Sequence, residues 1–239
     1  VHARQPEAPG AWVPAASVLG GLALTGAAYG RGWWDLHTRS PSRFPAWRLT
    51  AFLAGLGSIA LAVASPLDAA ADRTLAAHMV QHLVLLVVAP LLLLAGAPLV
   101  PIARGLPRWL ARGVVRPVLR SPLPRVLTRP LVGWLTVTLA VWAWHVPAAF
   151  ELALHSELWH AAEHACFLFG GVLFWWPVVL PWPSQPCMPH WVLVPYLLLA
   201  DLQNTALAAI LAFATHPLYP TYALLLGPRA LDDQVLAGV

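Results

Sequence analysis

Long apolar runs alternate with short polar segments along almost the whole chain. Six runs are long enough to cross the hydrocarbon layer as helices, which takes roughly 20 residues each. They fall at about 12–30, 47–64, 75–103, 131–150, 158–180 and 191–213. The third is long enough to tilt, and its Pro90 and Pro98 predict kinks. A seventh apolar segment starts near Asp232. No period-two alternation suggests a barrel, and no internal repeat is visible. Lipid offers no partner for open backbone groups, so the runs are expected to be helical. The pattern predicts an all-α, polytopic transmembrane helix bundle. It is a single membrane-embedded domain over residues 1–239, with six helices and the start of a seventh.

Composition supports this. The chain is 59% hydrophobic and 10% charged, with a mean hydropathy of +0.68, against about 25% charged residues in soluble domains. All 14 basic residues are arginine. The net charge of +4 raises the question of a nucleic-acid partner; the distribution of the arginines argues against one. Arg31, Arg39, Arg43 and Arg48 follow the first run, and Arg104, Arg108, Arg112, Arg116, Arg120, Arg125 and Arg129 follow the third. Both loops lie on one side, which the positive-inside rule makes the cytoplasm. The N-terminus is then expected outside, with no cleavable signal peptide. Arg4, Arg73 and Arg229 fall outside, with Glu7, Asp68, Asp72, Glu151, Glu157, Glu163, Asp232 and Asp233. Arginines every four residues from Arg104 to Arg120 fit an amphipathic helix on the anionic leaflet. Pro107, Pro117, Pro122 and Pro124 favour a solvated, topology-setting loop instead. Cys166, in an apolar run, and Cys187, in a Pro-rich loop, do not describe a disulfide framework.

The same orientation gathers seven of the ten histidines at one end, with His37 and His190 in the cytoplasmic loops and His2 at the N-terminus. His78 and His82 open the third run, His145 lies near the outer end of the fourth, His155 follows it, His160 and His164 open the fifth, and His216 follows the sixth. The stretch "HSELWHAAEH" alone carries three histidines and two glutamates. His78/His82 and His160/His164 are each spaced four apart, which stacks them on one helix face with Cβ atoms about 5–6 Å apart. Two imidazoles so placed can chelate one metal ion, and two such pairs on facing helices can form a four-imidazole site. The expected metal ligands are therefore His78, His82, His160 and His164. Glu163 shares the face of His160 and can ligate, orient an imidazole or act as a base. His145 is an accessory candidate that equally suits a helix-end hydrogen bond. His155 and His216 read as interfacial residues. Imidazole suits copper, zinc, iron and nickel alike. With Met79 and Met188 the sole methionines, the residues do not describe a sulfur-rich Cu(I) trap. Asp201, mid-run in "LLLADLQNTAL", is expected to make a polar packing contact. Cys166 lies about 200° round the helix from His164. The pairs Trp33/Trp34, Trp142/Trp144 and Trp175/Trp176 read as an aromatic belt.

Three stretches together resemble a known family. "SPLDAAADRTLAAHMVQHLVLLVVAPLLLLAGAPL", "WHVPAAFELALHSELWHAAEHACFLFGGVLFWWPV" and the terminal "LDDQVLAG" are similar to the CtaG-type cytochrome c oxidase assembly factors. The resemblance runs from about Ser65 to the end. It implies a multi-pass protein of the bacterial plasma membrane, with a seventh span, that helps mature a haem–copper oxidase by handling copper on the outer side. His78, His82, His160, Glu163 and His164 match the family's polar motifs. Asp68 and Asp232 match its acidic positions and join the accessory set.

The reading that combines these signals is a non-enzymatic assembly factor with copper, or alternatively zinc, at an extracytoplasmic histidine cluster. Its expected partners are oxidase subunits or another copper carrier, in a lipid bilayer and without nucleic acid. Two alternatives stand beside it. "HAAEH" fits the inverted zinc signature of a metallohydrolase, with Glu163 as general base. Histidines from separate helices also suit a haem-binding electron-transfer protein.

Overall fold

The computed structural model describes residues 12–186 and 188–239. The expected outer N-terminus, with His2, Arg4 and Glu7, and Cys187 lie outside these residues. The described chain is helical throughout its regular parts. The elements run α1 (Trp12–Arg39), α2 (Ala46–Val63), α3 (Pro66–Ala71), α4 (Leu75–Leu83), a π-helical turn (Val84–Val88) and α5 (Ala89–Ala95). Then come α6 (Leu99–Gly105), α7 (Arg108–Leu110), a second π-helical turn (Ala111–Val115), α8 (Arg116–Arg120) and α9 (Leu123–Leu127). The rest is α10 (Pro130–His145), α11 (Pro147–His155), α12 (Glu157–Val179), α13 (Leu193–Phe213), α14 (Pro220–Leu226) and α15 (Ala230–Ala237), with short 3₁₀ turns before α13 and α15.

Among the described residues, four stretches are long and apolar enough to cross a membrane: Ala46–Ala71, Leu75–Ala95, Glu157–Val179 and His190–Phe213. The pair α10 and α11, bent by 78°, makes a fifth if taken as one span. The break falls at Val146, before Pro147, so the run expected over 131–150 is two helices. The run expected over 75–103 also divides. Its helix ends at Ala95, the chain turns through Ala97 at φ 49°, and α6 resumes after Pro98. Pro90 does not break the helix; the π-helical turn precedes it. The first run extends to Arg39 as one 28-residue helix. The arginine loop is helical rather than irregular. Arg108, Arg112, Arg116 and Arg120 are exposed along it, as are Trp109 and Val118.

Two prolines open carbonyls that other helices cross-link. Pro66 has no N–H for the Ala62 carbonyl four residues back. Gln81 Nε2 supplies the missing donor at 2.6 Å and also donates to Asp68 Oδ1 at 2.9 Å. Pro90 likewise leaves the Leu86 carbonyl without its helical donor, and Trp175 Nε1 donates to it at 3.0 Å. Gly171 lets α12 lie directly on this turn, since a Cβ there would collide with the Leu86 carbonyl. Gly105 likewise sits against the Ala28 carbonyl, bringing α6 onto α1. Trp175, half-buried, is thus a bundle contact and not part of a belt, and Trp33 is buried.

A central apolar core joins α2, α10, α12 and α13 through Ile59, Val137, Phe167, Phe174 and Tyr196. Large apolar side chains such as Leu24, Leu61, Leu139, Leu198 and Phe213 point outward, while histidines and Glu163 are buried. A soluble domain would have the reverse arrangement. The two ends differ in chemistry. At one, Phe44 packs edge-on against Trp182, Arg43 lies over that indole, and Arg104 clasps Asp35 at 2.5 Å. At the other lie most of the histidines, His37 and His190 excepted, and most of the acidic residues.

Candidate metal centre

Two helices supply most of the cluster. The start of α4 is fixed by its caps: Thr74 Oγ1 accepts from the Ala77 N–H at 3.4 Å, and the Asp233 carboxylate accepts from the Leu75 N–H at 2.6 Å. This anchoring aims His78 and His82, one turn apart, at α12. From α12, His160, Glu163 and His164 face back. The histidine rings lie 4.4 Å apart for His78–His82, 4.2 Å for His160–His164, and 5.5 Å for His78–His160 between centroids. All four histidines and Glu163 are buried, Glu163 and His78 to within 1% of complete burial. Phe150 and Phe167 close the cluster, 4.9 Å from His78 and 4.2 Å from His82.

Glu163 sits between the two α4 imidazoles. Its carboxylate oxygens are 3.6 Å from His78 Nε2 and 3.4 Å from His82 Nε2. One ligand atom each from His78, His160 and Glu163 fall within 4.8 Å of one another, a span a single metal ion can bridge. The expected four-histidine set is thus gathered in one place, but the tightest metal-sized grouping uses Glu163 in the company of one histidine from each helix. Both ring nitrogens of His78 and His82, Nε2 of His164 and both oxygens of Glu163 are buried without a hydrogen bond. A buried polar atom left unsatisfied costs about 1–3 kcal/mol. A cation bound by imidazole and carboxylate would relieve several such costs together, so this donor set fits a transition metal.

The accessory candidates divide. His145 Nδ1 donates to the Val141 carbonyl at 2.7 Å, and the ring stands 5.8 Å from His82. Asp68 accepts from Gln81, which shares α4 with His78 and His82. Asp232 is exposed, and its neighbour Asp233 makes the contact at the start of α4. His155 is exposed beside Glu151 and Thr221, and His216 is exposed. Cys166 is exposed on α12, on the side away from the buried His164. Asp201 lies on the exposed face of α13 instead of in the expected polar contact.

Sequence reasoning gave no role at the site to four contributors. Gln81 shares a face with His78, a signal present in the spacing. Met79 lies 3.4 Å through Sδ from His145 Nε2. Tyr219 and Tyr222 come from the distant α13–α14 connection and α14. Tyr219 donates to the His145 carbonyl at 3.1 Å and Tyr222 to the Ala71 carbonyl at 2.6 Å. Burial pushes both phenols well above their ordinary range, and for Tyr222 the Asp72 and Asp233 carboxylates add to it. Both phenols therefore remain donors.

The family model of the cytochrome c oxidase caa3 assembly factors, Caa3_CtaG, matches residues 27–239. The chain belongs to this family. The Caa3_CtaG match covers most of the chain, including all of α2 to α15 and every residue of the cluster, and it supports a role in cytochrome c oxidase assembly. No curated protein and no solved structure matches the chain significantly.

Proposed function

We propose that this assembly factor binds copper as cargo in the buried His/Glu cluster and delivers it to a subunit of cytochrome c oxidase, without catalysing a bond-breaking reaction. The observation that carries this reading is the convergence of His78, His160 and Glu163 within 4.8 Å at one end of a lipid-facing bundle. His82 and His164 stand next to this set, so a bound ion has neighbouring imidazoles to exchange onto.

In this reading α1 is also a span, the bent pair α10–α11 counts as one, and α15 begins a seventh. The arginine-rich end faces the cytoplasm of a bacterium and the cluster faces outward, with the N-terminus outside. The charge segregation supports this orientation. Acidic residues around the cluster, among them Asp68, Asp72 and Glu151, favour the approach of a cation or of a basic partner surface.

The test is elemental analysis of the detergent-purified chain beside a His160→Ala, His164→Ala double variant. About one copper per chain, lost in the variant and exchangeable with a chelator, is expected. Zinc that resists chelation would transfer weight to a metallohydrolase built on the H-x-x-E-H signature. No metal in either sample would leave a purely structural role in assembly.

A further inference from the structure

We propose that Met79 and His145 form a second metal site at the rim of the cluster, a thioether–imidazole pair that takes Cu(I) in preference to Zn(II). The proposal rests on the copper reading of the cluster and adds the oxidation state of the cargo and the way in.

The argument starts from the His145 ring. Its Nδ1 lies 2.7 Å from the Val141 carbonyl. A carbonyl only accepts, so Nδ1 carries the proton and, in the neutral ring, Nε2 presents its lone pair. That lone pair faces Met79 Sδ at 3.4 Å, and a thioether sulfur has no proton to give. Two electron-pair donors therefore face each other with nothing between them to share. A soft monovalent cation satisfies both. Thioether sulfur selects Cu(I), whereas Zn(II) favours imidazole, thiolate and carboxylate ligands.

Position gives the pair its role. Residue 79 is turned about 100° from residue 78 on α4, which takes it away from α12 and toward the end of α10. There α10 stops, and the 78° bend into α11 begins. Met79 and His145 are half-buried, whereas His78 and His82 are buried. From His145 the rings step inward, 5.8 Å to His82 and then 4.4 Å to His78. The Tyr219 hydroxyl bound to the His145 carbonyl holds the rim in place. An ion arriving at the rim would be met by a soft donor first and by harder donors deeper in.

The test uses the full chain in detergent with Cys166→Ser and Cys187→Ser, which removes thiol sulfur. Cu(I) is supplied anaerobically against a competing chelator, and Zn(II) is titrated separately. The Cu(I)-loaded protein is expected to show a sulfur neighbour in copper X-ray absorption. Met79→Leu, a swap of similar volume, should abolish that neighbour and weaken one Cu(I) equivalent at least tenfold, with Zn(II) binding and the melting temperature unchanged. A selenomethionine-labelled chain carrying Met188→Leu asks the same question without altering Met79, and a copper–selenium neighbour is expected. Absence of a sulfur or selenium neighbour, or equal Cu(I) affinity in Met79→Leu, overturns the proposal. The His160→Ala, His164→Ala background separates the two readings. If the cluster does not bind copper, Met79-dependent Cu(I) binding persists there as the sole binding. If only the rim proposal fails, the cluster still loads in Met79→Leu.

Discussion

Glu163 is the residue on which the chemistry turns. Its carboxylate is fully buried between His78 and His82 and has no hydrogen-bond donor of good geometry. A ligand and a general base respond differently to its loss. Glu163→Gln keeps the shape and removes the charge, so a ligand role predicts at least a tenfold fall in metal affinity by chelator competition. Retention of full metal occupancy with Glu163→Gln would point instead to a base in a hydrolase. Gln81 tests a different property. Gln81→Leu removes the donor to the Ala62 carbonyl left open by Pro66 and to Asp68. The expected cost is about 1–3 kcal/mol for leaving that buried acceptor unsatisfied. It would be read as a lowered midpoint of unfolding in detergent, and a midpoint equal to wild type would refute the cross-link.

Among the elements, the junction of the first π-helical turn with α12 sets the spacing of the two ligand helices. Gly171 is in contact with the Leu86 carbonyl, which Trp175 also engages. Gly171→Val should push α12 off this turn, destabilise the fold by about 1–3 kcal/mol through overpacking, and lower metal occupancy although no ligand is altered. Unchanged occupancy would mean that the cluster does not depend on this contact. The α1–α6 clasp behaves differently because it is exposed. Arg104, then Arg39, hold the Asp35 carboxyl below its ordinary range. A group whose value is depressed on folding stabilises above its ordinary value and loses that contribution as pH falls through the lowered one. The clasp should therefore persist at neutral pH and release only in acid. Asp35→Asn should lower the melting temperature slightly at pH 7, and this difference should vanish in strong acid.

At the scale of the whole molecule, charge and polarity are sorted along the helices. The helices turn many apolar side chains outward, gather most histidines and acidic groups at one end, and leave most arginines at the other. A bilayer favours this arrangement because an unpaired ionisable group facing lipid is costly. The exposed helical stretch through Arg108, Arg112, Arg116 and Arg120 fits the headgroup layer of the anionic leaflet. Single cysteines placed at 112 and 216 in a cysteine-free background test the orientation. An impermeant reagent applied to intact cells should label position 216 and reach 112 only after permeabilisation; the opposite pattern would invert the proposed topology.

The sequence alone determined the helical class, the apolar runs, the charge asymmetry and the two HxxxH faces, because each depends on local spacing or on composition. The family was legible for the same reason: its motifs are contiguous. Tertiary structure decided which of those faces meet. Nothing in the spacing of residues 78–82 and 160–164 requires α4 and α12 to be neighbours, and nothing local sets Glu163 between two imidazoles of another helix. The same holds for Met79 opposite His145, for Asp233 rather than Asp232 at the start of α4, and for Trp175 turned inward to Leu86. Each of these depends on contacts between segments distant in the chain, where a proline's missing donor or a glycine's missing side chain acquires its consequence only once another helix is packed against it.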